Sequence, residues 1–346
     1  MPTPVVVVDG ALEGFRLRSR LAIRGRPGSP KIGMFELGSH RLVHIPNCRV
    51  HHPLINRVAS VVRRALVDAG ISTYSEPRHS GLARYLQVVV ERRSQTAQVV
   101  LVANSPTPEP LAGCLDLIRD RLGAELHSLW FNAQCGRTNT ILGPEFQLWH
   151  GPASVVESFG GFDVHYPPGA FGQNNLDIAE RIVDHLREQV PQGADVTEFY
   201  AGVGAIGLSL LPSVNRLRMN EIGPASLQGL ELGLAGLPAS ERAKIEVFPG
   251  TAGDTCAIAS GAQVVIADPP RKGLDRALVE QLIVQPPERF LYVSCGWESF
   301  VEDAARLTSA GTLRLAELRA FNLMPFTGHV ETVARFERTG LGSASS

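Results

Sequence analysis

The sequence predicts an α/β fold, with a doubly wound parallel sheet from about residue 165 onward and a basic α+β region before it. Three observations carry that expectation. Short apolar runs alternate with amphipathic helical segments through the second half, the pattern of parallel strands joined by crossover helices. A G-x-G-x-x-G loop (Gly202, Gly204, Gly207) stands between one such run and a helix start. The first half combines strand-like runs with two helical patterns and has no glycine loop of its own.

Residues 14–25, GFRLRSRLAIRG, alternate with period two. This predicts a strand that buries Phe15, Leu17 and Leu21 and turns Arg16, Arg18 and Arg20 to a cationic face. An edge strand guarded by charge has the same pattern. Leu54, Val58, Val61, Val62 and Leu66 follow helical spacing and predict a helix over 53–69, with Pro53 suited to its first turn. LQVVVERR and AQVVLVAN read as a hairpin, PLAGCLDLIRDRLG as a helix, and LHSLWFNA and TILGPEFQLW as two further strands. In the second half a helix, DIAERIVDHLREQV, precedes strand-like DVTEFY. LRMNEIG, KIEVFPG, QVVIADPP and FLYVSC follow as strands, with ALVEQLIV and SFVEDAARLTSAG as helices between or after them. LRLAELRAFNL and HVETVARFER close the pattern as a strand pair. The expected division is residues 1–164, residues 165–338 and a small, polar, disordered tail at 339–346.

A chain of 346 residues is comfortable for two domains. No stretch approaches the ~20 apolar residues of a membrane span, and MPTPVVVVDG lacks the basic region and cleavage pattern of a signal peptide. Five irregularly spaced cysteines argue against a disulfide framework and for a reducing cytoplasm. A cytoplasmic monomer is expected. Net charge is −1, but residues 1–100 hold 15 Lys and Arg against 6 Asp and Glu, leaving 18 against 28 in the remainder. A basic first third on an acidic remainder fits a phosphate-binding module joined to a catalytic one; chance segregation of solvated charge fits as well.

Glycines after a strand permit a tight turn and a close approach of backbone to ligand. Glu221 lies 19 residues beyond Gly202, at the end of the next strand, where a carboxylate accepts hydrogen bonds from ribose hydroxyls. This combination fits either a dinucleotide or S-adenosylmethionine. Asp268-Pro269-Pro270-Arg271 ends an apolar strand as a stiff ledge, and Ser294-Cys295 ends another. Glu331 stands beside His329 in GHVETV near the chain end. A cysteine and two acids at the ligand edge suit covalent catalysis with proton removal.

AFGQNN, EFYAGVGAIG, ADPPRKGL, YVSCG and HVETV, in that order, resemble the successive motifs of the RNA uracil-C5 methyltransferase family, over about residues 165–337. GFRLRSR and IPNC extend the likeness more loosely toward the N-terminus. The resemblance implies a Rossmann-like class I methyltransferase domain, with an N-terminal α+β region binding RNA through Arg16, Arg18 and Arg20, joined by Arg271. It implies S-adenosylmethionine as cofactor, held by Gln173, Tyr200, the loop residues Gly202, Gly204 and Ala205, the acid Glu221, Thr251 and Asp268. Cys295 is implied as the nucleophile that adds to uracil C6, and Glu331 as the base that removes the C5 proton. Cysteine suits that step because its thiolate is a strong nucleophile and a serviceable leaving group. The target uridine must be single-stranded or flipped, since C5 and C6 both need access.

Several positions depart from the family pattern. Ala201 stands where the family usually has cysteine, Thr251 where many relatives have an acid or amide, and Phe171-Gly172 where two aromatics precede the glutamine. Gly296-Trp297 replace the Asn-Pro that usually follows the nucleophile, loosening that loop or offering an indole for base stacking. Many ribosomal RNA members carry a four-cysteine iron–sulfur cluster and an N-terminal TRAM-type barrel. Only Cys48 resembles a cluster ligand, so no cluster is expected, and the chain starts too late to hold the barrel. His40, His44, Cys48 and His51 lack the spacing of a second ligand pair, and no metal is expected. Cys114, Cys135 and Cys256 read as core residues.

Three rival functions fit parts of the pattern. A cytosine-C5 enzyme of this broad fold typically carries Pro-Cys, which is absent. A dehydrogenase leaves DPPR, SCG and HVETV unexplained. A catalytically weak or inactive RNA-binding protein keeping the fold finds support only in the altered nucleophile loop. For the substrate, HVETV and DPPRKGL lean to 23S ribosomal RNA, while the missing cluster and barrel resemble the transfer RNA branch.

Overall fold

The computed structural model describes residues 5–26, 28–39 and 41–340. These form two compact units that interleave in sequence: residues 11–157 with 166–174, and residues 5–10 with 158–165 and 175–340. The sequence reading draws one boundary, at 164/165. Short return segments escape such a reading because six to nine residues carry too little periodicity of their own. Residues 341–346, most of the expected disordered tail, lie outside the described residues, as do the first four.

The N-terminal unit opens on β2 (Arg18–Arg26), after β1 (Val6–Val8), which belongs to the other unit. It continues through β3 (Ser29–Phe35), β4 (Leu42–His44), α1 (Pro53–Asp68), β5 (Ala83–Glu91), β6 (Thr96–Ala103), α2 (Ala112–Leu122), β7 (Leu126–Ala133) and β8 (Glu145–His150). The strands form a sheet in the order β4-β3-β2-β5-β6-β7-β8, antiparallel except for the β6–β7 pair. Every residue of β5 is buried, as a central strand covered on both faces requires. Helix α1 buries the apolar stripe expected of it, including Leu54, Val58, Val62 and Leu66.

The cationic strand departs from expectation at its centre. Arg20 is exposed and donates from Nε to Gln87 Oε1 at 2.8 Å, and Arg16 is half-buried. Arg18 is only 7% exposed and lies flat over the Tyr166 ring, 3.9 Å from its centroid. Its Nε and Nη2 have no partner among the described residues, and burial pulls its guanidinium below the usual range. Gly172 leaves the space it fills, since a Cβ there would meet the guanidinium carbon at 2.5 Å. Charge alternation alone does not reveal that another segment covers the middle of the strand. One cysteine reading is also corrected. Cys135 is exposed in the polar loop after β7, whereas Cys114 is buried and Cys256 half-buried. The run FNAQC looks apolar, but the strand ends at Ala133 and the chain turns out to solvent.

After the hairpin β9 (Val155–Phe159) and β10 (Phe162–Tyr166), the C-terminal unit runs through α3 (Leu176–Gln189), β11 (Ala194–Phe199), α4 (Ala205–Ser209), β12 (Val214–Glu221), α5 (Pro224–Ala235) and α6 (Ala239–Arg242). It ends with β13 (Ile245–Pro249), β14 (Val264–Ala267), α7 (Arg276–Val284), β15 (Arg289–Ser294), α8 (Trp297–Ser309), β16 (Leu313–Phe321) and β17 (Glu331–Arg338). The sheet order is β1-β16-β17-β15-β14-β11-β12-β13. Strands β11 to β15 are mutually parallel, β17 is antiparallel to β15 and β16, and β1 pairs in parallel with β16. The chain builds outward from β11 to β13, then restarts on the other side with β14 and β15. That reversal between β11 and β14 is a topological switch point, the place where open α/β sheets bind ligands beyond their strand ends. Phe199, Val265, Leu278, Phe290, Tyr292, Phe300 and Phe336 build a core below it. Among the described residues no helix is long and apolar enough to cross a membrane.

Candidate active site

The site is a row of strand ends. Tyr200 follows β11, Asp268 follows β14 across the switch point, and Cys295 follows β15, while Glu331 begins the antiparallel β17 beside it. Register puts Ser294 opposite Thr332, whose hydroxyl donates to the Ser294 carbonyl at 3.2 Å, so the two strands are locked together at the end that carries Cys295 and Glu331.

On the β11 side the backbone does most of the building. Tyr200 is held at φ +61°, a left-handed conformation that non-glycine residues rarely adopt, and its hydroxyl accepts a hydrogen bond from the Asp275 amide at 2.9 Å. Burial pushes its phenol up to about 12. Gly202 and Gly204 both take positive φ, and a Cβ on Gly202 would meet nothing within 4 Å, so the turn borders open space. Glu221, the last residue of β12, accepts hydrogen bonds from the amides of Gly202 at 2.7 Å, Ile222 at 2.9 Å and Gly223 at 2.5 Å. A carboxylate so held fixes the loop and remains at the strand end expected for it. Thr251, following β13, spends its hydroxyl on Asp254 Oδ2 at 2.6 Å. Gln173, Arg16, Arg18 and Arg20 belong to the N-terminal unit; Gln173 stands there, half-buried, in the irregular segment before α3.

On the β14–β15 side the site consists of ionisable groups. Burial pushes the Asp268 carboxyl up to about 7. It also pushes Glu331, which is 3% exposed, up to about 8, with Asp268 adding to the rise and Arg271 opposing it. Burial raises the Cys295 thiol above its ordinary range; Glu331 and Asp268 add to this, while Arg271 and a backbone hydrogen bond lower it. A half-buried thiol, two proton-poised carboxyls and one guanidinium thus share one field. Such a constellation can add a nucleophile to an electron-poor ring and move a proton.

Three residues with a part in this geometry had escaped the sequence reading. Glu198, 1% exposed within β11, lies under the loop, and its carboxyl is raised well above the usual range by burial, then by Asp268. Its signal was an acid inside the apolar run DVTEFY. Asp303 on α8 accepts from the Leu274 amide and the Tyr292 hydroxyl, each at 2.8 Å, and so anchors the stretch after Arg271. Ser299 Oγ lies 2.9 Å from the Arg271 carbonyl and 3.0 Å from that of Gly296. Nothing in the local sequence announces either of these last two, because their partners are remote in the chain. Among the described residues no group of three or more His, Cys, Asp or Glu is placed to hold a metal ion. His44 and His51 instead bond the Ile32 carbonyl and Ser19 Oγ, and His40 lies outside the described residues.

Comparison with known proteins points to one family. A family model described as tRNA (Uracil-5-)-methyltransferase matches residues 259–339, the span from before β14 to the end of β17. An uncharacterized RNA methyltransferase of Protochlamydia amoebophila is 36% identical over 339 residues, covering 96% of this chain and 88% of that protein. Another, from Thermosynechococcus vestitus, is 30% identical over 335 residues, covering 93% and 71%. Among solved structures, the tRNA (uracil-54, C5)-methyltransferase of Pyrococcus abyssi, in complex with S-adenosyl-L-homocysteine, superposes with a TM-score of 0.79. At 22% identity, over 96% of this chain and 78% of that one, the match concerns the fold. Through its near-full-length relatives and the motif-bearing segment that the family model matches, the chain belongs to the RNA uracil-C5 methyltransferase family.

Proposed function

We propose that this protein transfers a methyl group from S-adenosylmethionine to C5 of a uridine in RNA, through a covalent adduct between Cys295 and C6 of the ring. The observation that carries the reading is the convergence of Cys295, Asp268 and Glu331 in one coupled electrostatic field at the switch-point edge.

The residues present fit the methyl donor: the open space bordered by Gly202 is a cradle that a side chain would fill, and Glu221, a carboxylate held beside that loop at the end of β12, would take the ribose. Tyr200, Gly204, Ala205 and Asp268 would complete its contacts; Thr251 would contribute through its backbone, since its hydroxyl is engaged by Asp254. When bound, the donor supplies an electrophilic sulfonium methyl to the activated C5. Everything else falls to this chain. The Cys295 thiolate forms a bond to C6, and the C5=C6 electron pair moves toward C5, making it nucleophilic. Arg271 favours the thiolate against the two acids. After methylation C5 still carries its hydrogen; the Glu331 carboxylate takes that proton, the C5=C6 bond re-forms, and sulfur leaves with its electron pair. Burial raises the basicity of Glu331, at the cost of ionising only as pH approaches about 8.

The RNA proposed is 23S ribosomal RNA ahead of transfer RNA, on the HVETV and DPPRKGL contexts, with Arg16, Arg20 and Arg271 contacting phosphates. A cytoplasmic monomer remains the expected form. The experiment is methyl transfer from labelled S-adenosylmethionine to total RNA lacking 5-methyluridine, followed by fractionation. Label in 5-methyluridine with the wild type and none with Cys295→Ala supports the reading. Absence of transfer from the wild type to ribosomal and transfer RNA alike overturns it.

A further inference from the structure

We propose that Trp297 is a stacking platform for the nucleobase next to the reacting uridine. The inference rests on the function proposed above. A cavity of about 540 Å³ opens beside the nucleophile, lined by Arg271, Cys295, Trp297, His329, Val330 and Thr332 among others. Its volume is several times what one pyrimidine ring fills, so it has room for more than the base that reacts. Cys295 is half-buried, while Trp297 is 55% exposed, an unusual state for the largest apolar side chain. The two residues therefore work at different depths. The reacting ring must reach the thiol with its face, and a ring lying on the outer indole would hold C6 away from the sulfur.

The indole is held in place as a platform must be. On its inner side it meets Phe300, with centroids 5.7 Å apart and planes at 34°, and Phe300 in turn packs on Tyr292 at 5.5 Å. Tyr292 is tied to Asp303. Preceding the indole, Gly296 passes so close to the neighbouring loop that a Cβ would stand 2.6 Å from the Arg271 carbonyl oxygen and 2.7 Å from Ser299 Oγ. Gly296 has φ −117°, a backbone state open to any residue, so glycine serves here for closeness rather than for conformation. The Gly-Trp pair that breaks the family pattern thereby reads as one device: glycine draws the first turn of α8 onto the Arg271 loop, and tryptophan lines the cavity beside it.

Physical need points to the neighbouring base. Extracting a uridine from its stack leaves the next base with one bare face. An aromatic face beside a guanidinium restores stacking there without reading sequence. Arg271, exposed at the same rim, supplies the guanidinium.

The test uses the whole protein and two probes: a short oligouridylate, and the same oligomer with every second nucleotide abasic, which removes each uridine's neighbouring bases. Wild type is expected to bind the intact oligomer about tenfold to a hundredfold more tightly than the abasic one, the range of one aromatic–base stack. Trp297→Ala should lose that preference, and Trp297→Phe should restore much of it. Trp297 emission, taken as wild type minus Trp297→Phe, should be perturbed by the intact oligomer only. Equal discrimination by wild type and Trp297→Ala overturns the proposal, as does unperturbed Trp297 emission while methyl transfer to RNA persists. Coupling between indole and neighbouring base in a protein that transfers no methyl supports the platform and overturns the catalytic reading alone.

Discussion

The two sides of the switch point are built from different materials. On the β11–β12 side, backbone amides and one carboxylate satisfy one another: Glu221 accepts three N–H groups, and the positive φ of Gly202 and Gly204 shapes the turn. On the β14–β15 side, burial opposes the charged forms of Cys295, Asp268 and Glu331; Asp268 adds to the rise of the other two, and Arg271 relieves them. One side is settled before any ligand arrives; the other is held away from its preferred ionisation. Binding geometry can be built from amides that do not titrate, whereas proton removal needs a group whose environment raises its basicity.

The comparison breaks most visibly on the strained side. Cys295→Ala should abolish transfer, and Glu331→Gln should lower turnover by about 10²–10⁴-fold, read in single-turnover assays. On the settled side, Glu221→Gln should weaken donor binding about tenfold to a hundredfold by calorimetry, while turnover at saturating donor changes far less. Such a split between binding and turnover would distinguish the two halves; a Glu221 variant that lost only turnover would contradict it.

The next effect is on pH. Glu331, raised to about 8, and the raised Cys295 thiol must both lose their protons to act, so kcat/KM should climb as pH rises through and beyond neutrality. Arg271 lowers both Glu331 and Cys295, and Arg271→Gln should therefore move the rising limb to higher pH. An unchanged profile in that variant would show that Arg271 acts elsewhere.

The smallest effect is on stability. Asp268, Glu331 and Glu198 have folded values raised above the unfolded range near 4. Their contribution is fully present below that range and is lost as pH rises through the folded values. Glu198→Gln removes one such group. It should flatten the decline in unfolding free energy that begins above the unfolded range, by roughly 1 kcal/mol per pH unit over which the folded state keeps a proton that the unfolded chain has lost, as urea titrations at a series of pH values from about 5 upward would show.

How much of this was legible in the sequence depended on the range of the signal. Strand-and-helix alternation, the glycine loop and the acids at strand ends are local patterns, and β11 to β17 lie where those patterns put them. Charge alternation was equally local but misleading at Arg18, because Tyr166 and Gly172, which cover it, arrive about 150 residues later. Val6–Val8 read as an isolated apolar run, since its partner, β16, lies at the opposite end of the chain. Ser299 and Asp303 look like ordinary helix polar residues until Arg271, Leu274 and Tyr292 are brought against them. Sequence shows which groups carry chemistry; the fold shows what holds them.

The most direct test of the covalent mechanism is denaturing electrophoresis of Glu331→Gln after incubation with S-adenosylmethionine and RNA that accepts methyl groups from the wild type. Without the C5 base the methylated adduct has no exit, so a protein–RNA band resistant to denaturation should accumulate, and adding Cys295→Ala should remove it. Product released at the wild-type rate by Glu331→Gln, or an adduct that survives loss of Cys295, would contradict the assignment of nucleophile and base.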